Sequence, residues 1–295
     1  MNSGPDARTR EFYRDVLRRL QADEVPFLVG GAYAFERYTG IARHTKDLDL
    51  FLRRGDCGRA LDTLQRAGYR TDRTHPHWLA KAFSEDAFVD LIWSSGNGVA
   101  DVDEAWFTHA REGHVLEVPV RLCPPEEMIW SKAFIMERER FDGGDVAHLI
   151  RACGARLRWR RLVRRFGPHW RVLLSHVVLF GFIYPDERAT VPAWVPMLLV
   201  RRLVREQPRP GTRRPLCLGT LLSRSQYLVD VTHWGYRDGR RRPTGRMTPH
   251  AIAKWTAAIE AEPGPPGPDA PAESGAAPPG SGATPSPGIP LETSP

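Results

Sequence analysis

Two aspartates separated by a single leucine, Asp47 and Asp49, stand in the segment KDLDLFL. On a strand this spacing sets both carboxylates on one face, about 6.5 Å apart along the backbone, close enough to grip a hard cation. Two negative charges so placed beside low-dielectric packing raise each other's pKa. A divalent cation, Mg or Mn, removes that penalty and neutralises phosphate charge during a transfer reaction. Upstream, Gly30 and Gly31 carry no side chains, so N–H groups at the start of a following helix can approach phosphate oxygens closely. The plain structural alternatives are two solvent-facing acids on an edge strand and a simple glycine turn. His75 and His77 flank Pro76, but no Cys or third His follows at ligand spacing, so they read as exposed loop residues rather than a metal pair.

The elements that must position these residues follow from periodicity. Phe12, Val16, Leu17 and Leu20 recur at helical spacing over 9–22, and the apolar run 25–29 then leads into the two glycines. A second helix is predicted over 32–38, a strand over 46–52, and a helix over 57–67 capped by Asp56 and stopped by Gly68. Residues 69–73, 77–83 and 87–93 read as further strands, and 115–122 as another. Pro124-Pro125 opens a helix containing Met128, Ile129, Lys132, Ile135 and Met136, with Glu126 and Glu127 in its first turn, where the helix dipole favours acids. The pattern is then helical to about residue 204, with Trp159, Trp170, Trp194 and Trp255 at core positions. Residues 207–246 are irregular and rich in Arg, Pro and Gly, and a short last helix carries Ile252, Trp255 and Ile259 on one face. The expected fold class is α/β, a mixed sheet with flanking helices, followed by a helical C-terminal region. Three parts are predicted: a catalytic core over 1–123, a basic helical region over 124–262, and a disordered Pro/Gly/Ala/Ser-rich tail over 263–295.

The stretch FLVGGAYAFERYTGIARHTKDLDLFL resembles the nucleotidyltransferase superfamily, whose hallmark is a Gly-Gly or Gly-Ser turn, a short helix and an Asp-x-Asp strand. In its spacing it is similar to minimal-type bacterial members, including toxin and antitoxin nucleotidyltransferases and aminoglycoside nucleotidyltransferase relatives. The resemblance covers roughly 25–150. It implies a third carboxylate from a later strand, for which FVDLIW offers Asp90; Glu85 and Asp86 compete, but stand at the polar start of that segment. It implies that Thr45 supports the Asp pair, with strand propensity as the alternative. It implies that Lys132, one of four lysines, reaches the triphosphate, with a surface lysine on an amphipathic helix as the alternative. Arg138, Arg140, Asp142 and Asp145 match a charged stretch of relatives, or form a helix-end salt-bridge cluster. Ala32 departs from the family's usual Ser and removes one hydroxyl contact to phosphate. The implied reaction moves a nucleoside monophosphate from a nucleoside triphosphate to an acceptor hydroxyl and releases pyrophosphate, with Asp47, Asp49 and Asp90 holding the metal.

The net charge of +7 conceals an asymmetry along the 295 residues. There are 20 basic and 25 acidic residues up to residue 150, 22 and 6 over 151–261, and 0 and 4 beyond. A basic stretch of this kind, including Arg240, Arg241 and Arg242, can follow a polyphosphate backbone and makes RNA the leading acceptor. A small antibiotic-like amine would want an acidic pocket instead, and a protein hydroxyl needs neither. A rival of another class is a non-catalytic nucleic-acid- or partner-binding protein, for instance half of a toxin–antitoxin pair. Cys57, Cys123, Cys153 and Cys217 include no CxxC pair, the opening residues lack a secretory apolar core, and the apolar run near 172–184 is too short to span a bilayer. A cytoplasmic protein without a membrane segment is expected.

Overall fold

Helix α1 (Ala7–Ala22) buries Phe12, Tyr13, Val16, Leu17 and Leu20, and Asp6 caps it by accepting the Thr9 N–H at 2.7 Å. The structure, a computed structural model, describes residues 5–43, 45, 47–85, 87–206 and 215–260. Pro26 has no N–H to give a ladder, and the strand that follows, β1 (Leu28–Val29), is correspondingly short. After it come α2 (Gly31–Thr39), β2 (Asp47–Phe51), α3 (Cys57–Arg66), β3 (Arg70–His75), β4 (Leu79–Ser84) and β5 (Ala87–Ile92). A short α4 (Glu104–Thr108) then leads to β6 (Arg111–Val115) and β7 (Val118–Leu122). These strands form one seven-stranded sheet in the order β3-β4-β5-β2-β1-β7-β6. It is mixed: β2 runs parallel to β5 and antiparallel to β1, and β1 runs parallel to β7.

Alternation sorts the two faces of the central strands. Leu48 and Leu50 of β2, Val89 and Leu91 of β5, and Ala80 and Ala82 of β4 are fully buried on one face, which sends Asp47, Asp49, Asp90 and Lys81 to the other. A one-residue slip in register would bury the carboxylates in the core, so the leucines fix the position of the acids.

The segment predicted as one strand over 115–122 is the turn and second strand of the β6–β7 hairpin. Its turn residues Leu116 and Glu117 both have positive φ, 49° and 66°. Such a turn favours Asn and Gly, so Leu-Glu carried no signal for it.

Beyond the sheet the chain is mainly helical, through α5 (Pro125–Lys132), α6 (Gly143–Cys153), α7 (Trp159–Phe166), α8 (Trp170–Ile183) and α9 (Trp194–Arg205). Short pieces follow: β8 (Leu216–Cys217), α10 (Leu228–Thr232), β9 (Arg237–Asp238) and α11 (Pro249–Glu260). One hydrophobic cluster runs from Phe12 through the sheet to Leu221, so α5 to α9 share the core of the sheet. The helix after Pro124 ends at Lys132, short of Ile135 and Met136. Its Glu126 and Glu127 are buried, and Arg161 pairs with both while Arg165 pairs with Glu127, so tertiary ion pairs from α7 meet these acids in addition to the helix dipole. Trp159 and Trp170 are core residues as expected. The stretch Trp159–Ile183 has the length and composition to cross a bilayer, yet Gly167-Pro168 divides it into α7 and α8, and each buries one face in the core. Side chains near Ile259 and the tail over 263–295 lie outside the described residues.

Candidate active site

The parallel pairing of β2 with β5 sets Asp49 directly opposite Asp90 and Asp47 opposite Phe88. One ligand atom from each of Asp47, Asp49 and Asp90 then lies within 4.8 Å of the others. Oxygen donors alone, gathered at this spacing, suit a hard divalent cation. The cluster is electrostatically incomplete by itself. Burial, then the charges of Asp47 and Asp90, push the Asp49 carboxyl up to about 7, against the opposing Lys132 and Arg140. Burial also raises Asp90, although Lys81 pulls it the other way.

The glycine turn is built onto these acids. Gly30 precedes α2, and its N–H donates to the Asp49 carbonyl at 3.0 Å. Gly31 has a φ of +53°, and a Cβ there would stand 1.7 Å from Asp49 Oδ2. A Cβ on Gly30 would meet the Phe51 ring at 2.3 Å. Both positions therefore need glycine, one because backbone and carboxylate touch, the other because an aromatic ring does. The N-terminus of α2 consequently opens directly beside Asp49. Thr45 donates its hydroxyl to Asp47 Oδ1 at 2.5 Å, so it orients the first acid of the pair. Tyr13 and Tyr33 pack edge to face at 6.3 Å, and burial raises both phenols, with Asp47 contributing to each.

Lys132 is not a free surface lysine. At the end of α5 it pairs with Asp142 at 2.9 Å and Asp145 at 2.8 Å, while Arg140 holds Asp142 through both carboxylate oxygens. Arg43, from the loop after α2, also pairs with Asp145. Arg140, Asp142 and Asp145 thus form a network that seats Lys132 and Arg140 where their charges act on Asp49, whereas Arg138 of the same stretch is exposed and pairs with Glu139. Glu85, the rival third acid, is exposed at the β4–β5 turn and pairs with Arg8 at 3.8 Å; Asp86 lies outside the described residues.

Lys81 was not singled out from sequence. It stands opposite Asp90 across the β4–β5 hairpin and bonds Asp90 Oδ1 at 2.6 Å. The strands read from sequence, 77–83 and 87–93, give a different register; the observed pairing of Ser84 with Ala87 is what sets Lys81 opposite Asp90. The histidines need correction. His75 and His77 are half-buried, not exposed loop residues, and form an aromatic cluster with Trp78 and Trp255 at centroid distances of 5.2 to 6.5 Å. Arg240 also departs from expectation. It is 1% exposed and bonded to Asp238 at 2.7 Å, whereas Arg241 and Arg242 are exposed.

Residues 6–169 match a family described as uncharacterised nucleotidyltransferase. No curated protein matches the sequence. Among solved structures, the antibiotic-resistance factor ANT(2'')-Ia shares 18% identity with a TM-score of 0.43, over 58% of this chain and 98% of that one. The lincosamide antibiotic adenylyltransferase LnuA shares 14% with a TM-score of 0.35, over 50% and 98%. JHP933 from Helicobacter pylori shares 12% with a TM-score of 0.33, over 69% and 96%.

Proposed function

Because the chain belongs to the nucleotidyltransferase family that it matches over 6–169, we propose that Asp47, Asp49 and Asp90 form its catalytic metal site and that RNA is its acceptor. The observation that carries the site is the convergence of three carboxylates from two paired strands beside a helix N-terminus that only glycine can open. The donor set fits Mg or Mn. Such cations, when bound, neutralise phosphate charge and acidify an attacking hydroxyl.

The chain's own residues divide the remaining work. Gly30 and Gly31 leave the N–H groups of α2 open to the triphosphate, and Lys132 supplies a compact positive charge toward it. Thr45 holds Asp47 in place. Lys81 bonds Asp90 Oδ1 and so orients this carboxylate, which takes the proton of the acceptor hydroxyl as the hydroxyl oxygen bonds the α-phosphorus and the bond to the departing pyrophosphate breaks. RNA is favoured as acceptor by the exposed arginines of the helical region, among them Arg160 and Arg164 on α7 and Arg201, Arg202 and Arg205 on α9.

Incubating the protein with each labelled nucleoside triphosphate, Mg and total cell RNA tests the reading. Label should enter RNA, and Asp90→Asn should stop it without lowering the melting temperature. Label recovered only in a small hydroxylated compound or in protein would remove RNA as acceptor. Undiminished labelling by Asp90→Asn would remove the acid site.

A further inference from the structure

Beside the acids, the open face of the sheet carries two half-buried aromatic rings. Phe88 stands opposite Asp47 on β2 and opposite Phe83 on β4, and Phe83 stands opposite Arg70 on β3. One row across four strands therefore reads Asp47, Phe88, Phe83, Arg70. The rings of Phe83 and Phe88 lie 6.2 Å apart. The exposed Arg70 guanidinium sits 3.8 Å over Phe83, and the Lys81 ammonium sits 3.8 Å over Phe88 while bonding Asp90. Two aromatic rings left half-exposed on an otherwise polar strand face, each covered by a cation, make a surface for planar and anionic groups rather than a core.

The position of this row decides which substrate it serves. The sheet order puts β5, β4 and β3 on one side of β2, and β1 with its glycine turn on the other. The α5 helix that carries Lys132 follows β7, again on the β1 side. In-line transfer needs the attacking hydroxyl and the departing pyrophosphate on opposite sides of the α-phosphorus. With the triphosphate at the glycine turn, the acceptor must arrive over β5 and β4.

We propose that Arg70, Phe83 and Phe88 form a stacking platform for the terminal nucleobase of a single-stranded RNA acceptor, seating its 3′ hydroxyl at Asp90. This rests on RNA being the acceptor. Arg70 offers the outer plane of its guanidinium, and the phenylalanines, each with a face under a cation, offer their edges, which suits any base and selects for an unpaired end. Lys81 lies between platform and acids, placed to meet the last phosphate.

The test compares two oligoribonucleotides that differ only in the last residue, one with its base and one abasic, both keeping the 3′ hydroxyl. With the wild-type protein, Mg and a labelled nucleoside triphosphate, KM should be about tenfold lower for the intact end, the order of one base stacked on an aromatic. The Phe83→Leu/Phe88→Leu variant should bring the two substrates within about twofold, with KM for the nucleoside triphosphate unchanged. Arg70→Ala, at an exposed position, should narrow the gap in the same direction and covers the case in which the double variant does not fold. Transfer to RNA that ignores the terminal base, or variants that keep the full discrimination, would overturn the platform and leave RNA as acceptor. A rise in KM for the nucleoside triphosphate in place of the RNA would assign the row to the donor base and overturn the proposal. No transfer to either oligonucleotide would overturn both this proposal and the RNA reading.

Discussion

Asp49 is the residue on which the electrostatics of the site turn. Folded, it keeps a proton to about pH 7, whereas an unfolded aspartate releases it near 3.8. Between those values the folded state binds the extra proton, so this group's contribution to stability falls as pH rises through the window and stays lowered above it. Asp49→Asn should therefore melt at an equal or higher temperature than wild type at pH 8 without divalent cations, by about 1 to 3 kcal/mol in stability, and the gain should vanish near pH 4. Added Mg should raise the melting temperature of the wild type and not of the variant. Thermal melts at the two pH values decide the matter; a marked loss at pH 8 would make Asp49 a structural residue. Lys81 and Lys132 lie near these acids from opposite sides, one bonded to Asp90 and one acting at longer range on Asp49. Both are among only four lysines in a chain rich in arginine, as suits a compact charge among closely spaced acids.

The elements matter here through one contact, the backbone of α2 against the side chain of β2. Gly31→Ala would add a Cβ 1.7 Å from Asp49 Oδ2 at a φ of +53°, so it must displace the acid or the turn. We expect a stability loss of about 1 to 3 kcal/mol together with loss of transfer. Gly40 offers a control, because its φ is +73° but nothing lies within 4 Å of the Cβ it would gain. Gly40→Ala should cost only about 1 kcal/mol from the left-handed backbone and keep activity. Urea melts and transfer assays of both variants separate backbone strain from displacement of Asp49. Full activity in Gly31→Ala would show that the tight packing of the turn on the acid is not needed. The β6–β7 hairpin makes a related point about elements: Leu116 and Glu117 take left-handed conformations that their sequence does not favour, and the strands on either side hold them there.

At the scale of the molecule, charge separates along the chain, but the fold decides which charges reach solvent. Arg240, Arg241 and Arg242 are adjacent in sequence and unequal in structure. Arg240 is buried against Asp238, so Arg240→Gln leaves that carboxylate the Thr220 hydroxyl and a backbone N–H but no opposite charge, and should cost about 3 kcal/mol or more, read as a lower melting temperature. Arg241→Gln/Arg242→Gln should leave stability within about 0.5 kcal/mol. It should also flatten the salt dependence of RNA binding by up to about 2 units of slope, near one per phosphate contact. A salt titration of binding to a labelled oligoribonucleotide reads this, and an unchanged slope would take these two arginines out of any RNA surface.

The sequence by itself determined the parts that depend on local order: the glycine pair, the Asp-x-Asp alternation and the Val-Asp-Leu strand that carries Asp90. Strand period alone puts Asp47 and Asp49 on one face, and their buried neighbours Leu48 and Leu50 fix which face that is. The helical character of the second half was equally legible, since apolar spacing is a local property. Strand pairing, by contrast, joins residues far apart in the chain. Only the tertiary structure decided that Asp90 stands opposite Asp49, that Lys81 stands behind Asp90, and that Phe83, Phe88 and Arg70 continue the row. Burial of polar groups is likewise a property of the assembled fold. Glu127 reads as a helix first-turn acid and the pair His75 and His77 as exposed loop residues, because their partners Arg161 and Trp255 stand far along the chain; Arg240 has Asp238 two residues away, and there it is the burial of the pair that local sequence does not show. A charged or polar side chain enters the interior when a partner meets it there, and no window of local sequence contains that partner's position in space.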